Sequence, residues 1–275
     1  MNEFERYHFD LEGYIVVKGL LSKEETARYL DAANRLEDMC TRTITGEPTF
    51  HGQYKIPYFA NKELGVLCYE NMWGGGRQIV VDDCLNASPA FDSLVGHEPT
   101  MRYIRELSVG PYRITSSELR FRYKNNKTLS HMGGPVDPRN RYEFVGKPTL
   151  DPVTGAKDVR HFNLLTARVI YALHDLPIEN GPLSVVPGSH KANFFSPYSE
   201  DPSQEPGMIG VPMEAGDALF FTENLRHGGL PNLLDTPRKT IHIMVCPRWA
   251  TSQSPAHEDG DVYVSPAAWQ RYSKE

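Results

Sequence analysis

The sequence predicts a mainly β protein with flanking helices and an antiparallel jelly-roll core. From residue 112 onward, short strand-like runs alternate with clusters of Gly, Pro, Asn and Asp, and helical periodicity disappears. Before that point, two segments carry apolar residues at helical spacing. Gly74-Gly75-Gly76 follows no apolar run, so the strand, glycine-rich turn and helix of a nucleotide-binding fold are not predicted.

The length and composition are those of one large domain. The chain has 275 residues, of which 40% are hydrophobic and 23% are charged. A chain of this size buries a sizeable core without disulfides, and β domains often run to about 250 residues. We therefore expect a single domain over 1–275, with a helical and mixed N-terminal part at about 1–111 and a β core at about 112–250.

The N-terminal part starts with a β-branched run between glycines at 13–21, which predicts a strand. Ser22 and Glu25 then form the Ser-x-x-Glu pattern of a capping box, which is typical of a helix N-terminus. A second helix is predicted at 97–109, where Gly110-Pro111 ends it. Residues 41–96 show no clear periodicity and give no prediction.

The β core is predicted from runs between turn residues. Strands are expected near 118–123, 168–173, 183–186, 218–221 and 239–245. In the last run, apolar Ile241, Ile243 and Val245 alternate with Thr240, His242 and Met244. This alternation predicts a half-buried strand.

Composition excludes several classes of function. The formal net charge is −6 and no run of Lys and Arg occurs, so a nucleic-acid partner is not expected. No stretch approaches the 18 apolar residues of a membrane span, and the N-terminus lacks a basic start with an apolar run. The four cysteines form neither a C-x-x-C pair nor a disulfide-dense pattern. We expect a cytoplasmic protein that acts on a small molecule; the sequence leaves its oligomeric state open.

Two histidines stand out by their context. His131 ends a strand-like segment and is followed by Gly133-Gly134, and His227 follows the predicted strand at 218–221 and is followed by Gly228-Gly229. Strand ends beside glycines suit ligands gathered at the mouth of a small barrel. The alternative for any single histidine is a hydrogen-bonded residue without a ligand role.

Arg238 and Thr240 share one face of the last predicted strand, because side chains alternate along a strand. An arginine binds a carboxylate through two parallel hydrogen bonds, and a neighbouring hydroxyl supplies a third donor. This pair predicts an anchor for a dicarboxylate.

Taken together, these blocks resemble the phytanoyl-CoA dioxygenase family of iron(II)- and 2-oxoglutarate-dependent oxygenases, over roughly residues 4–250. The blocks are the run at 13–21, the segment Glu179-Asn-Gly-Pro-Leu-Ser-Val-Val-Pro-Gly-Ser-His-Lys191, the segment Gly216-Asp-Ala-Leu-Phe-Phe221, His227-Gly228 and Arg238. The resemblance implies a double-stranded β-helix (cupin-like) core and iron held by His131, by an acid two residues later and by His227. It also implies that Arg238 grips 2-oxoglutarate, which reacts with O2 and leaves as succinate and CO2.

Residue 133 departs from this pattern, because glycine stands where the family has Asp or Glu. Glycine offers no donor atom, so the usual set of two histidines and one carboxylate is incomplete. Three outcomes stay open: water or the nearby Asp137 completes the site for hydroxylation or another oxidation, chloride fills the vacancy as in related halogenases that carry Gly or Ala here, or the site is crippled.

Residues before and at the start of the β core are candidates for the substrate wall. They are Tyr54, Trp73, Arg77 and Arg120, chosen from aromatic and basic stretches. The leading hypothesis is an oxygenase that oxidises a C–H bond of a small, specialised metabolite, with a radical halogenase as its variant. The rival from another class is a non-catalytic barrel that binds a metabolite.

Overall fold

Two facing antiparallel sheets form the centre of the molecule. The computed structural model describes residues 1–52, 55–108, 111–132, 147–150, 157–162, 164–192, 194, 196–252, 254 and 261–272. Within these ranges, a nine-stranded sheet has the order β1-β13-β10-β15-β6-β5-β4-β3-β2 and a four-stranded sheet has the order β12-β11-β14-β7. β8 and β9 form a separate hairpin. The predicted β fold with flanking helices and a jelly-roll core is confirmed.

The elements have the following bounds. The helices are α1 Glu3–Glu12, α2 Lys23–Thr43, α3 Glu98–Leu107 and α4 Pro266–Tyr272. The strands of the large sheet are β1 Tyr14–Val17, β2 Phe50–His51, β3 Pro57–Asn61, β4 Val66–Asn71, β5 Gln78–Asp82, β6 Tyr112–Arg122, β10 Ala167–Ala172, β13 Ala218–Thr222 and β15 Arg238–Pro247. Those of the small sheet are β7 Thr128–His131, β11 Leu183–Val185, β12 Ile209–Gly210 and β14 His227–Gly229, and the hairpin is β8 Lys147–Leu150 and β9 Lys157–His161.

The capping box starts α2 where the sequence predicts it. The amide of Glu25 donates to Oγ of Ser22 at 3.1 Å, and the amide of Ser22 donates to Oε2 of Glu25 at 2.8 Å. Two backbone donors are therefore satisfied at the helix start. The apolar side of α2, with Tyr29 and Leu36, packs into the core on the outer face of the large sheet.

β15 and β6 lie at the centre of the large sheet, and their register sets the site. Arg238 pairs with Arg122, Thr240 with Arg120, and His242 with Glu118. These side chains share one face because their positions alternate with Ile241 and Ile243, which belong to the core on the helix side. β15 is buried on both faces and not half-buried as predicted, because the small sheet covers its polar face.

Three parts of the structure were not predicted from the sequence. Helix α1 precedes β1, and α4 packs near the C-terminus. Residues 50–82 form the meander β2–β5, which extends the large sheet beyond β6. The chain before residue 112 therefore supplies strands to both edges of the same sheet, and 112 is not a boundary in the fold. Among the described residues, no helix is long and apolar enough to cross a membrane.

Candidate metal centre

His131 and His227 meet across the small sheet. They are paired in register between β7 and β14, and their ring centroids lie 4.2 Å apart. Nδ1 of His131 lies 2.7 Å from the carbonyl oxygen of Leu129, and Nδ1 of His227 lies 2.7 Å from that of Leu225. A carbonyl only accepts, so each Nδ1 carries the proton and donates it. Nε2 of both rings is therefore the nitrogen with a lone pair for a metal ion.

The protonation state of both rings suits metal binding. Burial and the neighbouring His131 lower the pKa of His227 to about 3. Burial also lowers the pKa of His131, although its side chain reaches the exposed mouth of the site. Both imidazoles are therefore neutral near pH 7, which is the form that ligates a metal.

Two arginines form the closed end of the same cavity. Arg238 and Arg122 are 2% and 1% exposed, and both donate from Nη1 to the carbonyl oxygen of Gly181, at 2.8 and 3.2 Å. Arg122 also donates to Oδ1 and to the carbonyl oxygen of Asn126. Nε of Arg238 has no hydrogen-bond partner among the described residues. Burial, with the charge of Arg120, lowers the pKa of Arg238 to about 9, so the guanidinium is still charged at neutral pH.

Glycines make room for these guanidinium groups. Gly181 has φ 65°, and a Cβ there would lie 2.3 Å from the carbonyl oxygen of Leu230. A Cβ on Gly229 would lie 2.3 Å from Nη1 of Arg122. A side chain at Gly229 would displace the guanidinium of Arg122, and one at Gly181 would displace the backbone of residues 230–232, whose Leu230 carbonyl accepts from Arg122.

Thr240 and Arg120 lie on the same face as Arg238 and are paired with each other, one step further along the sheet from the Arg238–Arg122 pair. The hydroxyl of Thr240 is buried and lies 2.9 Å from Nε2 of His242. Arg120 lines the cavity and pairs with Glu118. The hydroxyl of Thr240, predicted from the sequence as a donor to a dicarboxylate, is therefore hydrogen-bonded to His242.

Glu223 and Arg168 bring a further ion pair to the histidines. Glu223 follows β13, is 5% exposed, and accepts from Nε of Arg168 through Oε1. Its Oε2 lies 3.8 Å from Nε2 of His227. Burial alone would raise the pKa of Glu223, but the charge of Arg168 and its hydrogen bond outweigh it and lower the pKa below its ordinary value. An ionised carboxylate therefore faces the metal-binding nitrogen of His227.

The described cavity is strongly positive. It is lined by Arg120, Arg122, Thr128, His131, Arg168, Ile170, Leu183, Phe221, Glu223, His227, Gly228, Arg238 and His242. These lining residues include four arginines and one carboxylate, and Glu118 behind them adds a second carboxylate that pairs with Arg120 and Arg168, while the histidines are neutral. Such a cavity attracts a small dianion.

Several predicted site residues lie elsewhere. Arg77 is not among the described residues that line the cavity: it donates to Glu70 at 2.9 Å and stacks over Tyr123, on the side of the sheet that carries α2. Arg77 immediately precedes β5, on which the next residue, Gln78, faces inward beside Arg122, so its assignment to the substrate wall stays a prediction. Tyr54, Gly133 and Asp137 lie outside the described residues. Trp73 belongs to a short 3-10 turn, and its side chain is not described.

The residues present fit a ferrous ion with 2-oxoglutarate in part. Two imidazole nitrogens converge at the mouth, and a buried arginine with an unpaired Nε stands at the closed end. The described residues do not include three or more ligating side chains already gathered for a metal ion. His131 and His227 would hold the metal, and Arg238 with Arg122 would hold a carboxylate tail.

Sequence reasoning missed the ion pairs in this cavity. Arg122 could have been predicted as a cavity residue once Arg120 was chosen, because residues two apart on a strand share one face. Glu223 stands four positions before His227 at the end of a predicted strand, which is a usable signal. The pairing of Arg168 with Glu223 depends on β10 and β13 becoming neighbours, and no local pattern indicates that.

Known proteins share both the sequence pattern and the fold. The sequence profile of the phytanoyl-CoA dioxygenase family matches residues 9–240. HygX from Streptomyces hygroscopicus, solved with nickel, 2-oxoglutarate and hygromycin B, is 19% identical at a TM-score of 0.64, over 96% of this chain and 97% of HygX. The epimerase SnoN, solved with Fe3+, alpha ketoglutarate and nogalamycin RO, is 21% identical at a TM-score of 0.57, over 90% of this chain and 84% of SnoN.

The carbocyclase SnoK from nogalamycin biosynthesis is 20% identical at a TM-score of 0.58, over 94% of this chain and 89% of SnoK. At these identities the solved structures establish the shared fold, and the profile match extends over most of the chain. The chain belongs to the phytanoyl-CoA dioxygenase family.

Proposed function

We propose that this protein is an Fe(II)- and 2-oxoglutarate-dependent oxygenase that oxidises a C–H bond of a small, specialised metabolite. Ferrous iron with 2-oxoglutarate and O2 supplies that oxidation, and the co-substrate leaves as succinate and CO2. The single observation that carries the proposal is that one cavity brings together two neutral imidazoles at its mouth and, at its closed end, a buried guanidinium whose Nε has no hydrogen-bond partner among the described residues.

The described side chains divide the work along the cavity. His131 and His227 present Nε2 to the metal, because backbone carbonyls hold their Nδ1 protons. Arg238 and Arg122 place two positive charges where the far carboxylate of a bound keto acid would lie. Arg120 is held by Glu118 and lies between these two ends. The arrangement orients an anionic co-substrate along the cavity.

The substrate class rests on the neighbours and on the cavity. Structures of HygX and SnoN were solved with hygromycin B and nogalamycin RO, which supports a small-molecule metabolite as the substrate here. SnoN and SnoK are named as an epimerase and a carbocyclase, so the fold serves more than one outcome. The proposal therefore covers the reaction class and leaves the substrate to experiment.

Anaerobic titration tests the proposal directly. Iron(II) followed by 2-oxoglutarate should produce the weak visible charge-transfer band of a chelated keto acid in the wild-type protein. His227→Ala should lose the band, because one of two imidazole ligands is removed. His51→Ala is the matched control, since His51 is exposed on β2, and it should keep the band.

The alternatives give different results in the same experiment. A folded protein that binds 2-oxoglutarate without iron and shows no band would support the non-catalytic binding barrel and overturn the proposal. A band that shifts on addition of chloride would favour the radical halogenase. Succinate released under air without a chlorinated product supports the oxygenase.

A further inference from the structure

Glu223 lies where a third protein ligand could reach the metal. It is one residue beyond β13, and its side chain enters the cavity beside the histidines. Its Oε2 lies 3.8 Å from Nε2 of His227. Ligand bonds of about 2.1 Å that meet at a right angle place two donor atoms about 3 Å apart. A shift of about 1 Å would therefore bring this oxygen and the imidazole nitrogen onto the same ion.

Arg168 holds the carboxylate in this orientation. Its Nε binds Oε1 of Glu223, so Oε2 is the oxygen directed at His227. Nη1 of Arg168 lies 3.6 Å from Oε1 of Glu118, which fixes the guanidinium from the other side. A ligating carboxylate in proteins is commonly supported by such an outer hydrogen bond. Oε1 of Glu223 is therefore bound to Arg168, and Oε2 is the oxygen that can bind a metal ion.

The sequence shows why a carboxylate is needed there. Gly133 replaces the acid that the family provides two residues after the first histidine, and glycine contributes no donor atom. A nonhaem ferrous site of this type uses two histidines and one carboxylate. Glu223 approaches His227 from the opposite sheet, because it follows β13 of the large sheet and His227 lies on β14 of the small one.

We propose that Glu223 is the third protein ligand of the metal and replaces the carboxylate that is missing at Gly133. The inference rests on the proposed function, since it needs a metal at His131 and His227.

Metal affinity tests this role without any turnover. Cobalt(II) is bound anaerobically in competition with a chromophoric chelator, and its visible d–d bands report the ligand set. Loss of an outer-shell partner alone costs about 10- to 100-fold in metal affinity, so loss of a direct ligand in Glu223→Gln should cost about 100-fold or more. Glu37→Gln is the matched control: it also takes a carboxylate from a cation of the large sheet, Lys239, but on the face opposite the cavity, and it should bind cobalt like the wild type.

A second pair of variants, compared with each other, separates ligation from folding. Glu223→Gln alone leaves Arg168 buried without this partner, which can unfold the protein. The first variant of the pair is Arg168→Met, and the second combines Arg168→Met with Glu223→Gln. Neither leaves a buried arginine without its carboxylate. If Glu223 is a ligand, the double variant binds cobalt about 100-fold more weakly than Arg168→Met and its d–d bands change.

The outcomes separate the inference from the function on which it rests. If Arg168→Met and the double variant bind cobalt equally and with the same bands, while His227→Ala loses it, the metal site exists but Glu223 is not a ligand. If the wild type and His227→Ala bind cobalt equally weakly, the metal site itself is absent and the proposed function fails.

Discussion

Removing the guanidinium of Arg238 should weaken 2-oxoglutarate binding by a predictable amount. Arg238→Met keeps the approximate length of the side chain and removes the charge. Nη1 of Arg238 is bound to Gly181, whereas Nε has no described partner and is available to a carboxylate. A hydrogen bond to a charged group contributes about 1.5–3 kcal/mol. Arg122, paired with Arg238 in register, keeps part of the positive field. A loss of about 2–3 kcal/mol raises the Kd about 30- to 150-fold.

The assay is an anaerobic titration of the iron-loaded protein with 2-oxoglutarate, followed by the visible band. Lys239→Met is the matched control, because Lys239 is the next residue on β15 and has the same charge. Its side chain points to the opposite face, where Nζ binds Oε2 of Glu37 at 2.6 Å and lies over Phe121. Lys239→Met should leave the Kd for 2-oxoglutarate unchanged.

Two results would refute this reasoning about Arg238. The first is a Kd in Arg238→Met within about threefold of the wild-type value, which corresponds to less than about 0.7 kcal/mol. The second is an equal loss in Lys239→Met, which would show that net charge and not position governs binding. Near-UV circular dichroism of both variants establishes that the comparison is made on folded protein.

Three further predictions concern stability. Burial lowers the pKa of His190 to about 4, so this residue binds fewer protons in the folded protein than in the unfolded chain, where a histidine pKa is about 6.5. Through this residue, the free energy of unfolding should fall by about 1–2 kcal/mol between pH 7.5 and 5.0. Urea unfolding should show a smaller fall in His190→Gln. Gly229→Ala places a Cβ against Arg122 and should lower the urea midpoint by the equivalent of about 1–3 kcal/mol. Gly46→Ala is the control, because the nearest contact of its Cβ lies at 3.4 Å, and it should change the midpoint little. Equal midpoints in the two variants would contradict the packing argument. Ser22→Ala removes the cap of α2 and should cost about 1 kcal/mol by the same measurement, and no change would mean that water replaces the cap.

The sequence predicted those parts of the fold whose signals are local. The helix at Ser22 follows from a side chain that satisfies amides three residues away, and the strand at Arg238–Pro247 follows from alternation. The meander at residues 50–82 was missed because its strands are short and carry polar residues on the cavity face, such as Gln78 and Asp82. Their strand character depends on pairing with β6, which is a tertiary contact.

The residues of the candidate site that could be predicted are those that lie in short, contiguous sequence motifs. His227 and Arg238 were selected because glycines and strand alternation surround them. Glu223 was not, because its meaning depends on Arg168, which is 55 residues away in sequence and pairs with it only after β10 and β13 align. Long-range ion pairs of this kind have no local sequence signature, so their discovery needs the fold.

The charge distribution of the cavity argues for a ligand more strongly than any single residue does. Buried like charges are costly, and well-packed apolar side chains of similar volume often stabilise a protein more than buried ion pairs. The same described cavity contains Ile170, Leu183 and Phe221, so apolar packing is compatible with these strands. Arg122 and Arg238 nevertheless lie side by side at its closed end, bound to backbone carbonyls and to an amide oxygen and to no described carboxylate. A bound anion would offset that repulsion, so the paired arginines are a physical reason to expect a carboxylate of the co-substrate at this end of the cavity.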